Sequence, residues 1–139
     1  YAADSNLVDE LKYDHQSMLR NFAISCKAEP ATEDYQYMYD TTQGIRKMVS
    51  ELSGLKNICL MGTLENTSAI FIPYLAELGK KLSSADFTYT DVHGEADIEH
   101  ANQFVEAISD EQAHGYVNSE DEIDEIIEQT VTLLKKIFT

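Results

Sequence analysis

Helical spacing of apolar residues runs through almost the whole chain and limits what it can fold into. Apolar side chains recur at intervals of three and four residues, which is the period of an amphipathic helix. The only short run with strand-like composition is Phe87-Thr88-Tyr89-Thr90. We therefore predict an all-α fold, with the 139 residues forming a single helical domain.

Capping residues and helix breakers set the predicted helix boundaries. Asp4 or Ser5 can cap a first helix that runs to about residue 28, ahead of Pro30. A second helix is predicted from Thr32 to a stop at residue 54, with Gly44 as a point where it could break. The remaining helices are predicted at about residues 55–82, at about residues 90–109, and after a capping box formed by Ser119 and Glu122.

One proline lies inside the most apolar of these helices. Pro73 has no amide hydrogen to donate, and its ring crowds the carbonyl of Ala69. We therefore predict a kink between residues 69 and 73 that curves this helix.

Two histidines and an aspartate stand at helical spacing in the run 91–100. At about 100° per residue, Asp97 lies about 40° and His100 about 20° from the direction of His93, so all three leave one helix face. That face continues into the apolar Phe104, which favours an inward orientation. Competing interpretations are surface ion pairs on an acidic helix and a buried polar network.

The three side chains suit a transition metal. Two imidazole nitrogens and one carboxylate oxygen bind Fe, Mn or Zn, and the same set in non-haem Fe(II) sites leaves positions open for substrate and O₂. The spacing of His93, Asp97 and His100 therefore favours a metal-dependent enzyme.

Two further polar residues lie on apolar helix stripes. Glu65 stands in the segment 62–69 among small and apolar neighbours, where an ionised carboxylate needs a cation. His15 lies on an apolar stripe with Met18 and Phe22. This pattern is compatible with two roles for His15, a hydrogen-bonded core histidine or a metal ligand. Tyr89, Asn66 and Ser68 are expected beside the ligands.

Charge and cysteine content exclude several classes of function. The chain has 10 basic and 25 acidic residues and a formal charge of −15, which argues against binding to nucleic acid or to an anionic membrane surface. Cys26 and Cys59 lie in apolar helical patterns and are expected to be reduced core thiols of a cytoplasmic protein. The start at Tyr1 suggests that an N-terminal part is missing.

Taken together, these motifs resemble the haem-oxygenase-like diiron oxidases. The resemblance rests on His93-x3-Asp97-x2-His100, on Glu65 in the preceding helix and on His15 in an earlier one. It is nearest to the branch of the chlamydial protein associating with death domains and to cyanobacterial relatives. It implies a helical bundle, here lacking N-terminal helices, in which these five residues bind two iron ions that activate O₂ and oxidise a small organic substrate.

The chain departs from the family pattern at one position. The family tends to place a glutamate seven residues before the early histidine, where this chain has Val8. Glu10 lies about 140° from His15 on a regular helix, and Asp4 lies three turns away. Two iron ions are therefore expected if the missing N-terminal part completes the site, and one or none otherwise.

The sequence is also compatible with other functions. His15 could be the axial ligand of a haem, as in related enzymes of this fold. Cys59 could be the nucleophile of a thiaminase-like relative, and a non-catalytic helical domain could use its acidic surface to bind a basic partner. For the oxidase, we expect O₂ and a small-molecule substrate as partners. We expect no binding to nucleic acid or to a membrane. The chain could also form a homodimer.

Overall fold

Helices account for the regular structure seen in a computed structural model, which describes residues 7–9, 12–115 and 120–137. They are α1 (His15–Ser25), α2 (Thr32–Glu51), α3 (Gly54–Lys81), α4 (Thr88–Ala113) and α5 (Glu120–Ile137). Residues 7–9 and 12–13, ahead of α1, are also helical. No strand occurs in the described ranges, and Thr88 to Thr90 form the first turn of α4. The all-α prediction is confirmed.

The predicted first helix is wrong in one respect, because the chain leaves the helical conformation at Asp14. This residue has left-handed dihedrals, φ 50° and ψ 51°, and its carboxylate accepts from the backbone N–H of Ser17. Aspartate adopts this conformation more readily than most residues, since its short polar side chain can bond locally. A new helix, α1, therefore starts at His15. The predicted caps Asp4 and Ser5 lie outside the described residues.

The end of α1 falls before Pro30, as predicted, and a backbone motif explains why it comes earlier than residue 28. Lys27 is left-handed, with φ 56°. Its N–H donates to the carbonyl of Ile24 at 2.9 Å, and the N–H of Ala28 donates to the carbonyl of Ala23 at 2.9 Å. These two bonds satisfy carbonyls that a helix end leaves unpaired.

The other helices occur where they were predicted, although α4 continues to Ala113, about one turn beyond the predicted end at residue 109. Helix α2 begins at Thr32, where the carboxylate of Asp34 accepts from the N–H of Ala31 at 2.8 Å, and it continues through Gly44 without a break. Pro73 lies inside α3, and the kink expected there stays a prediction. Of the predicted capping box, Ser119 and the side chain of Glu122 lie outside the described part of the chain.

The chain forms two compact units, and the site considered below lies in the first of them. The first unit comprises Tyr1–Glu29 and Glu65–Gln103, and the second comprises Pro30–Leu64 and Phe104–Thr139. The first therefore holds α1 with the C-terminal part of α3 and the N-terminal part of α4. The second holds α2 and α5, which contact each other.

A close approach of α1 to α3 organises the first unit. A Cβ atom at Gly79 would lie 2.9 Å from Cε2 of the buried Phe22, so only glycine leaves room for that ring. The hydroxyls of Ser25 and Ser84 lie 2.5 Å apart, and the rings of Phe22 and Phe87 pack edge to face. These contacts fix α1, and with it His15 at the first position of that helix.

The second unit has an apolar core centred on Cys59, Leu60 and Ile126. Phe104 is fully buried in the same unit, with 0% of its surface exposed. A Cβ atom at Gly62 would lie only 3.0 Å from the Cβ of Phe104, so the missing side chain lets α3 and α4 approach closely.

Candidate metal centre

Helix α4 directs the three residues of the histidine motif away from solvent. His93, Asp97 and His100 are exposed to only 6%, 3% and 4% of their surface. This burial agrees with the single helix face predicted from their spacing. It also excludes the interpretation of the motif as solvated surface ion pairs. An aspartate buried to this degree needs hydrogen-bond partners or a cation.

Three carboxylate and imidazole groups converge in the first unit. Glu65, Asp97 and His100 each offer one donor atom, and these atoms all lie within 4.8 Å of one another. Nδ1 of His100 lies 3.7 Å from Oε2 of Glu65. Two donors that share one transition-metal ion stand about 3 to 4 Å apart, because each lies about 2 Å from the metal. The donor types fit an iron ion, and the 3.7 Å separation of Nδ1 of His100 and Oε2 of Glu65 lies within this range.

The carboxylate of Asp97 is oriented by α3. The hydroxyl of Ser68 donates a short hydrogen bond to Oδ2 of Asp97. Ser68 stands three residues after Glu65, so one stretch of α3 supplies a donor atom and also orients the carboxylate on α4. Ser68 was expected beside the candidate metal ligands, and its contact with Asp97 agrees with that expectation. Asn66, also expected there, is exposed.

The backbone of α4 fixes the proton on His93. Nδ1 of His93 lies 2.9 Å from the carbonyl oxygen of Tyr89. A carbonyl only accepts, so Nδ1 donates, and the neutral ring keeps its lone pair on Nε2. The aromatic ring of Tyr89 packs against the imidazole with the centroids 4.1 Å apart. His93 is therefore held with Nε2 as its potential ligand atom.

His15 lies beside His93. The two imidazole centroids are 4.3 Å apart in an edge-to-face arrangement, and His15 also stacks on Tyr13 at 6.1 Å. Within the described residues, neither His15 nor His93 belongs to the group formed by Glu65, Asp97 and His100. The burial of His15 against another imidazole disfavours its use as the axial ligand of a haem, which needs open space for the porphyrin.

A carboxylate that the sequence did not indicate also reaches this region. Oδ2 of Asp9 lies 3.2 Å from Nε2 of His100. Val8, the residue at the expected glutamate position, is 58% exposed. The sequence did not indicate Asp9, because the periodicity predicts one regular helix through His15, whereas the left-handed Asp14 interrupts that helix. The other candidates, Asp4 and Glu10, lie outside the described residues.

The two cysteines are core residues. Both are buried and reduced, as predicted. Desolvation raises the pKa of the Cys59 thiol, so the thiol stays protonated at neutral pH. Since the thiolate is the reactive form, this environment disfavours the thiaminase-like alternative.

Comparison with known proteins identifies the family. A family model described as an iron-containing redox enzyme matches residues 2–134. The chain belongs to this haem-oxygenase-like family of iron-containing redox enzymes. No curated protein and no solved structure matches the chain significantly. Within the described residues, no helix has the length and apolar character needed to cross a membrane.

Proposed function

We propose that this protein is a non-haem diiron oxidase or oxygenase that uses O₂ to oxidise a small organic substrate in the cytoplasm. The observation that carries the proposal is the convergence of Glu65, Asp97 and His100 within 4.8 Å, in a member of an iron-containing redox enzyme family. The likeness to the branch of the chlamydial protein associating with death domains supports the diiron assignment.

Each residue of the centre has a role in this proposal. Glu65 and Asp97 would supply carboxylate oxygens to a bound iron ion, and His100 would supply Nδ1. His93 supplies Nε2, the nitrogen left without a proton by its bond to the carbonyl of Tyr89. Iron held by these groups would supply the reducing electrons and open coordination positions that O₂ activation requires.

The donors fall into two neighbouring sets, which supports two ions rather than one. Glu65, Asp97 and His100 form one set, while His15 and His93 form a pair of imidazoles. We expect about two iron ions per chain if both sets bind, and about one if only the first set does.

The low solvent exposure of the metal-binding side chains favours the proposed reaction. Buried carboxylates and imidazoles interact more strongly with a cation than exposed ones, because little water screens them. Restricted access of water also protects an oxidising centre from side reactions. Ser68 and the carbonyl of Tyr89 keep Asp97 and His93 in one orientation, so the donors are arranged before metal binds.

Iron content tests the proposal. We expect protein produced in iron-replete cells to contain about one to two iron ions per chain, and a His93→Ala/His100→Ala variant to contain fewer than about 0.2, because both imidazoles are lost. His114→Ala is the matched control, since this histidine is exposed, and it should keep the wild-type content.

Two results would contradict the proposal. One is a double variant with helical circular dichroism and unchanged iron content. The other is a folded wild-type protein that takes up no iron, which would support the non-catalytic interaction domain instead. A Soret band after addition of haem would favour the haem-binding alternative.

A further inference from the structure

We infer that Asp9 is a positioning residue, whose carboxylate accepts the Nε2 proton of His100 and thereby presents Nδ1 of that ring to the metal. The inference rests on the proposed function, because it assigns a role to Asp9 in the same centre. It concerns a residue outside the motif on α4 and outside the set of ligands predicted from the sequence.

The two nitrogens of His100 face different carboxylates. Nε2 lies 3.2 Å from Oδ2 of Asp9, whereas Nδ1 lies 3.7 Å from Oε2 of Glu65. Neutral imidazole has one N–H donor and one lone pair, and an ionised carboxylate only accepts. The 3.2 Å contact is within hydrogen-bond distance, so Nε2 donates to the carboxylate of Asp9. The proton of the neutral ring is therefore on Nε2, and the lone pair is on Nδ1.

With the proton on Nε2, the lone pair on Nδ1 of His100 points toward the other metal-binding groups. Nδ1 is on the side of Glu65, which converges with Asp97 and His100. Asp9 contacts Nε2 and, within the described residues, does not belong to the group of Glu65, Asp97 and His100, so it acts on a bound ion through the imidazole rather than by direct contact. A carboxylate that accepts from a ligating histidine fixes its tautomer and increases its basicity.

The two α4 histidines are held by different means. His93 donates from Nδ1 to a backbone carbonyl, which mutation of a side chain leaves in place. His100 depends on the side chain of Asp9, which is 36% exposed and precedes the turn at Asp14. A substitution at Asp9 should therefore change His100 and leave the tautomer of His93 as it is.

The tautomer can be measured without any metal. We expect ¹⁵N NMR of histidine-labelled apoprotein to show the Nε2–H form of His100 and the Nδ1–H form of His93. In Asp9→Ala, His100 should move to a mixture of both forms, while His93 keeps its signals. An unchanged His100 spectrum in Asp9→Ala would overturn the inference.

Cobalt(II) tests the consequence for metal binding. We expect Asp9→Ala to weaken Co(II) affinity about 10- to 100-fold and to shift the visible absorption bands of the bound ion. Asp9→Glu keeps an accepting carboxylate and should restore most of the affinity. Glu95→Ala removes an exposed carboxylate from α4, close to the ligands, and should behave as the wild type.

The outcomes separate this inference from the proposed function. Wild-type affinity and spectrum in Asp9→Ala would overturn the role of Asp9 alone. Failure of the wild-type protein to bind Co(II) or iron would overturn the proposed function, and the inference with it. Equal losses in Asp9→Ala and Asp9→Glu, accompanied by lost helicity, would show a structural role and would also contradict the inference.

Discussion

Replacing Asp97 with alanine is expected to weaken iron binding by more than about 100-fold, which exceeds the usual effect of residues that only orient a ligand. The change removes one of the three donors that lie within 4.8 Å of one another and leaves only one carboxylate among them. Iron retained by the wild type and by Asp97→Ala, titrated against a chelator under anaerobic conditions, measures this difference.

Ser68→Ala is the matched control for the loss of Asp97. It removes the hydroxyl that donates to Oδ2 of Asp97 but keeps every donor atom. We expect a smaller reduction in iron affinity, about 10-fold. If Asp97→Ala retained iron as well as Ser68→Ala does, Asp97 would be an internal hydrogen-bonding residue rather than a ligand.

Replacing Phe104 with alanine is expected to lower the free energy of unfolding by about 3 to 5 kcal/mol. Phe104 is fully buried, and its Cβ would lie 3.0 Å from a Cβ at Gly62, so the backbone there has little room to collapse into the cavity. Urea unfolding followed by circular dichroism gives the free energy, and the melting temperature should fall by on the order of 10 °C.

The adjacent residue provides a control for this core substitution. Val105 is on the same helix but is 60% exposed. Val105→Ala is therefore expected to change the free energy of unfolding by less than about 0.5 kcal/mol. Similar losses in the two variants would show that burial at Phe104 does not dominate the stability of the second unit.

Local signals in the sequence were sufficient to predict most of the helices. Helix α2 starts at Thr32 with acidic residues in its first turn, and Pro30, which cannot continue a helix, was sufficient to predict that α1 ends ahead of it. The histidine motif on α4 was also predictable, since its three residues lie within eight positions of one regular helix. These helix boundaries and this motif could be predicted because they depend on residues that are close together in the sequence.

Features that depend on tertiary structure or on one unusual residue were not predictable in the same way. The periodicity predicts one regular helix through His15, whereas the left-handed Asp14 interrupts it, and the approach of Asp9 to His100 is a tertiary contact. The approach of Glu65 to His100 depends on how α3 lies against α4 in the first unit. The sequence signals that pointed to Glu65 were its isolated position in an apolar segment and the family resemblance.

The most direct test of the metal centre is anomalous X-ray diffraction at the iron absorption edge from crystals grown with Fe(II) under anaerobic conditions. We expect an anomalous peak about 2 Å from a carboxylate oxygen of Glu65, a carboxylate oxygen of Asp97 and Nδ1 of His100, with a second peak beside His93 and His15 if the centre holds two ions. Iron-loaded crystals without a peak at Glu65, Asp97 and His100 would contradict it.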